Sequence, residues 1–126
     1  MNPKQIEAVL KLPGSERYDH FIKVVADRQL AWGLYSDGWA LAATSEGAPV
    51  FPLWPAKEYA ELSAVGDWTG YSPREMDMDD FLEGLLPSLG ERKTILGIFP
   101  TPDDKSLLLE TATFESDLRV ELAKFE

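Results

Sequence analysis

The apolar positions change period several times along the chain, and each change predicts a new element. Asn2-Pro3 reads as a helix cap followed by proline at the first helical position. Ile6, Val9 and Leu10 then recur at helical spacing. Pro13-Gly14 stops that helix, and Ser15 is placed to cap a second. The second helix is expected to bury Tyr18, Phe21, Ile22 and Val25 and to keep Arg17, Asp19, Lys23 and Asp27 in water. From Leu30 the period shortens to that of strands. Runs from Leu30 to Ser36 and from Trp39 to Thr44 flank Asp37-Gly38, a strong hairpin signal because both turn residues must accept positive φ. A third run, Val50 to Trp54, contains Pro52, which has no N–H for a ladder, so an edge or a bulge is expected there.

Pro55 is placed to start a third helix, with Tyr59, Leu62 and Ser63 near its inner face and Gly66 at its end. Trp68 to Glu75 reads as a short extended segment with Pro73 marking an edge. Asp77 caps a fourth helix with Phe81, Leu82 and Leu85 inward and Pro87 closing it. Thr94–Phe99 and Leu107–Leu109 are apolar on both faces, the mark of central strands, and their short connection makes them antiparallel. Phe114, Leu118, Leu122 and Phe125 give a last helix. The order predicts an α+β fold: a mostly antiparallel sheet of about five strands with helices packed on it. Proline and glycine are spread between elements and no repeat is visible, so residues 1–126 read as a single α+β domain.

Composition narrows the function classes. The chain has no cysteine, which excludes disulfides, thiolate metal sites and thiol nucleophiles, and makes a reducing, cytoplasmic compartment the expectation. No basic segment leads into an apolar one near Met1, so no signal peptide is expected, and the apolar runs fall short of the roughly 20 residues a membrane span needs. Net charge is -10. It is lopsided: residues 1–63 carry 8 acids and 6 bases, residues 64–126 carry 14 and 6. Such a chain repels phosphate backbones and anionic lipid, so neither nucleic acid nor membrane is an expected partner. The charge serves solubility, and it also suits a basic protein partner.

Catalytic signatures are sparse. There is no phosphate-binding glycine loop, no dinucleotide fingerprint and no nucleophile elbow. With His20 the only histidine, a zinc pair on one helix is impossible, and no cofactor or metal is expected. His20 reads as a residue at the border of an apolar face, since a general base needs an orienting partner and none is identifiable. Asp77-Met78-Asp79-Asp80 has the density of a cation site but lacks the glycine and distal glutamate of a calcium loop, and a helix N-terminus accounts for it. Asp103-Asp104-Lys105 reads as turn chemistry.

The aromatic residues are the open question. Trp32, Trp39, Trp54 and Trp68 are joined by Phe51, Tyr59, Tyr71 and Phe99. Some must build the core, but Phe51-Pro52-Leu53-Trp54-Pro55 puts large rings on a proline-stiffened backbone, which also suits a rigid anchor for a partner.

The segments Leu12–Ile22, Trp32-Gly33-Leu34, Gly38-Trp39-Ala40-Leu41, Val50-Phe51-Pro52-Leu53-Trp54-Pro55 with Glu58-Tyr59-Ala60, and Gly97-Ile98-Phe99-Pro100-Thr101-Pro102 resemble an uncharacterised bacterial family, domain-of-unknown-function family 2750. The resemblance runs from about residue 5 to residue 110 and implies bacterial origin and an α+β domain, with no activity to carry over. The order of elements over roughly residues 30 to 110 also looks like the SseB-type domain, which is associated with secretion and protein interaction; fold analogy alone does not assign function.

The reading that follows is a small acidic protein-interaction module, a regulator, adaptor or immunity-type inhibitor. Phe51, Trp54, Tyr59, Trp68 and Tyr71 are its candidate apolar centre, and Glu58, Asp79 and Asp80 its acidic rim. The alternative is a small-molecule-binding domain or an enzyme, the same rings lining a pocket with Asp80 or Glu58 as acid or base. A homodimer through Val50–Trp54 or Gly70–Glu75 is a third reading, opposed by Pro52 and Pro73, which blunt those edges.

Overall fold

A computed structural model describes residues 2–102 and 107–125; the turn expected at Asp103-Asp104-Lys105 lies outside the described residues. Helix α1 (Pro3–Leu10) opens with a reciprocal cap: Asn2 accepts from the Lys4 N–H at 2.7 Å, and Gln5 reaches back to the Asn2 N–H. Helix α2 (Gly14–Arg28) starts two residues earlier than Ser15 capping would allow, because Pro13 is its cap. Strands β1 (Leu30–Tyr35), β2 (Ala42–Ala43) and β3 (Pro49–Leu53) precede α3 (Lys57–Ser63). Then come β4 (Ser72–Asp77), a helical stretch with α4 (Met78–Asp80) and α5 (Leu86–Glu91), β5 (Ile95–Ile98), β6 (Leu107–Leu109) and α6 (Thr111–Ala123). The class is α+β. No helix among the described residues is long and apolar enough to cross a membrane.

The strands form a mixed, partly split sheet. β1 pairs antiparallel with β4, from Leu30 opposite Asp77 to Tyr35 opposite Ser72. The other four strands run in the order β2-β3-β5-β6. Only β3 and β5 are parallel, in register from Val50–Ile95 to Leu53–Ile98. The two sheets are stitched at one point, where Trp32 and Trp54 exchange backbone hydrogen bonds of 3.0 and 2.9 Å.

Several expectations are corrected here. The hairpin at Asp37-Gly38 closes only as far as a bridge between Tyr35 and Trp39. Asp37 takes positive φ (56°), but Gly38 does not, so the two-residue turn that holds long arms together never forms. Ala40 still donates to the Leu34 carbonyl at 2.8 Å, and beyond it the chain leaves β1, whose Trp32 bonds to Trp54 on that edge while β4 pairs along the other. Pro52 does not make β3 an edge. Leu53 turns its carbonyl to β5, where it accepts from the Phe99 N–H at 2.8 Å, so by alternation the missing N–H of Pro52 faces the other side. There β2 has already ended, its pairing confined to Val50 and Pro49. Strand β6 is an edge, with Leu107 and Leu108 exposed.

Pro87 does not close the fourth helix. The helix widens by one residue just before it, with the Leu86 N–H bonding to the Phe81 carbonyl, and continues as α5. Widening relieves the clash between a proline ring and the carbonyl four residues back, which a regular helix could not avoid. Leu62 points outward while Ala60 takes the inner position, and α3 begins at Lys57, two residues past Pro55. Trp68 belongs to a single tight helical turn, Gly66–Trp68, and β4 begins at Ser72. Phe125 lies past the end of α6 and is exposed.

One core joins the helices to the sheet. Phe114 of α6 packs on Phe21 of α2 and Phe81, each at 5.9 Å between ring centroids. Trp54 is fully buried; a ring of that size contributes about 4–6 kcal/mol of apolar burial. Arg17, expected in water, is 2% exposed. Its Nε donates to the Phe99 carbonyl at 3.2 Å and its Nη1 to the Leu12 carbonyl at 3.1 Å, so the charge is buried with hydrogen-bond partners in place.

Two substitutions test this account. A Cβ at Gly33 would lie 2.9 Å from Cζ3 of Trp39, whose ring is hemmed in by Tyr35 and Phe51. Gly33→Ala is expected to lower urea stability by about 1–3 kcal/mol with an unchanged denaturant slope. Arg17→Met is expected to cost about 1–3 kcal/mol for each carbonyl deprived of its donor, measured the same way.

Candidate functional site at the carboxyl end of the parallel strands

β3 and β5 end together, and the residues after them shape the surface. In sheets with parallel strands, ligands gather at that end. Phe99 follows β5 with φ at 54°, a left-handed conformation that costs a bulky residue of order 1–3 kcal/mol. The turn sends the ring of Phe99 against Tyr59, at 4.8 Å between centroids, and delivers the next residue to α3. There the Pro100 carbonyl accepts from Nε1 of Trp54 at 2.8 Å and from the Ser63 hydroxyl at 3.4 Å. Helix α3 therefore contributes to two hollows, Ser63 to one and Glu58 with Tyr59 to the other.

The first hollow has a volume of about 450 Å³. Pro100, Thr101 and Pro102 line it together with Ser63, and Leu41, Val65 and Trp68 rim it. Leu41 and Val65 are 53% and 59% exposed, more than a packed apolar side chain needs to be. Trp68 is held in place: its ring meets Trp54 edge-on at 5.9 Å, and its Nε1 donates to the Leu41 carbonyl at 3.4 Å. Asp67 supplies a carboxylate to the same hollow.

The second hollow, about 500 Å³, lies between α1, α2 and α3. His20, Val24 and Arg28 reach it from α2 because a four-residue spacing puts them on one face of a helix. Gln5 and Val9 come from α1 by the same spacing. The His20 pKa is lowered, chiefly by burial and then by the Arg28 charge, so its imidazole is neutral near pH 7. Burial and the Glu58 charge raise the pKa of Tyr59, against a smaller opposing effect of Arg28, which keeps the phenol protonated.

The structure separates the residues expected to act together. Phe51 and Trp54 are core, with no surface to offer a partner. Tyr59 is buried on Phe99 and lines the second hollow beside half-buried Glu58. Trp68 rims the first, and Tyr71 is half-buried against the core. Asp77 caps α4 by accepting from the Asp79 N–H at 3.1 Å. Asp80 lies instead in a third hollow, where Arg74 stacks on Tyr35 at 4.2 Å, and Asp79 lines a fourth, to which Arg119 also contributes. Among the described residues no three acids converge on a cation position. Sequence reasoning missed Leu41, Val65, Gln5 and Arg28. The His20–Val24–Arg28 spacing was the one available signal, and it fell among ordinary helix-surface positions.

Residues 18–118 match a family model described as a protein of unknown function, DUF2750. The match starts inside α2 and ends within α6, so it spans both hollows apart from the α1 residues of the second. No curated protein matches the chain.

The depressed His20 pKa has a consequence for stability. The unfolded chain takes up a proton near the ordinary value of 6.5, before the folded one does. The contribution of a neutral His20 is therefore fully present above pH 6.5 and lost as pH falls through the lower folded value. Urea unfolding at a series of pH values should show the wild type losing stability more steeply than His20→Gln below pH 6.5. Parallel curves would mean the imidazole titrates normally.

Proposed function

The chain belongs to the DUF2750 family of proteins of unknown function, and from the surface of this member we propose an acidic protein-interaction module, a regulator or adaptor, centred on the hollow rimmed by Leu41, Val65 and Trp68. The observation that carries the reading is the exposure of Leu41 and Val65 beside an immobilised tryptophan over a proline-lined floor. Interfaces place apolar anchors around such rigid rings and put polar groups at the rim. The partner that fits is a basic segment with an apolar side chain. Asp67 in the hollow and a net charge of -10 would steer it in, and that steering weakens as salt rises. The apolar centre thus differs from the expected one. It retains Trp68, loses Phe51, Trp54 and Tyr59 to burial and Tyr71 to a half-buried place against the core outside the hollow, and gains two aliphatic side chains.

A photo-reactive residue placed at position 41 or 65 of the full chain, in cells that make it, is expected to crosslink a basic protein. The same probe at exposed Val120 on α6 should not. The double variant Leu41→Ala, Val65→Ala should weaken binding of that protein about tenfold or more while leaving the circular dichroism unchanged. Crosslinking no stronger at 41 and 65 than at 120, or binding indifferent to both salt and the double variant, would overturn the reading.

A further inference from the structure

The hollow between α1, α2 and α3 differs in chemistry from the apolar one. It holds one full positive charge, Arg28, and one full negative charge, Glu58. Both lie close enough to Tyr59 to act on its ionisation, in opposite directions. Yet they do not pair with each other: the ion pairs of the described residues are Lys11–Glu7, Arg119–Glu115 and Lys124–Glu121. Neither side chain has another hydrogen-bond partner among the described residues, and the same holds for the His20 imidazole and the Tyr59 hydroxyl. Four polar groups that meet in one cavity and are not used by the fold are available to a ligand.

We propose that this cavity binds a small zwitterion, a free α-amino acid with an apolar side chain. Its carboxylate would take the Arg28 guanidinium, whose planar fork suits two oxygens, and its ammonium would take Glu58. Val9, Val24 and Ala56 supply the apolar wall for the side chain. A volume of about 500 Å³ leaves room for a molecule of this size and its bridging water. His20, held neutral by burial, adds a hydrogen bond without a second positive charge, so the cavity keeps one charge of each sign. A simple anion would leave Glu58 facing it, and a simple cation would leave Arg28 facing it, each a like-charge contact that opposes binding. This inference does not rest on the apolar hollow.

The test is calorimetric titration of the full chain with the common L-amino acids, followed by the N-acetylated and decarboxylated forms of whichever binds. At least one apolar amino acid should bind saturably at millimolar concentration or below. Arg28→Gln and Glu58→Gln should each weaken that binding about tenfold to a hundredfold, the loss of one charge-assisted bond. The acetylated and decarboxylated forms should weaken to a similar degree, and Val120→Ala on α6 should change nothing. Arg28 is exposed and Glu58 half-exposed, so both variants are expected to fold, checked by an unchanged melting temperature without ligand. The proposal is overturned if no amino acid binds, if the acetylated form binds as well as the free one, or if both charge variants bind like the wild type.

Discussion

The turn at Phe99 holds the working end of this molecule together. A bulky residue with positive φ is strained, and the strain persists only because its surroundings leave the chain no alternative. The Phe99 N–H is bonded to Leu53, which continues the parallel ladder by one residue. Its carbonyl is taken by the buried guanidinium of Arg17, 82 positions away in sequence. Its ring is packed on Tyr59, with His20 at 6.4 Å. With those three constraints met, Pro100 presents its carbonyl to Trp54 and Ser63. The strand ends, α2 and α3 are thereby fixed in relation to one another.

That arrangement explains why two unlike surfaces lie so close. Helix α3 is anchored from below, through Tyr59 on Phe99 and Ser63 on Pro100. One side of it looks toward Trp68 and the prolines, where the wall is apolar and open. The other side looks toward α1 and α2, where charged and polar ends meet over valines. A second tie, the Tyr18 hydroxyl donating to Asp117 at 2.6 Å, fastens α2 to α6 and raises the Tyr18 pKa, burial being the larger cause. Helix α2, which carries His20 and Arg28, is thus held at both faces.

Local chemistry made many elements legible. Asn2-Pro3 capped the first helix and Asp77 capped the fourth, because caps depend on neighbours within one turn. The apolar faces of α2 and α6 were readable at Phe21, Ile22, Val25, Phe114 and Leu118. The candidate site was much less readable. Phe51 and Trp54 drew attention as large rings between prolines, but ring size is the same whether a residue is core or interface, and only packing tells them apart. Leu41 and Val65 drew none, since an isolated aliphatic residue becomes informative only when it is seen to be uncovered.

Period, caps and composition were enough to determine the α+β class, most of the helix faces, the segments of β1, β3 and β5, and the acidity, all of which are set by residues a few positions apart. Tertiary structure decided which strands became neighbours. It paired β1 with the distant β4 on one edge and with Trp54 on the other, set β3 parallel to β5, and carried Pro52 past the end of β2. It also reversed Arg17 from solvent to core, because a carbonyl freed by the turn at Phe99 needed a donor that no local residue supplied. Pairing and burial are contests among segments distant in sequence, so their outcome is a property of the whole packed chain and is not written in any one stretch of it.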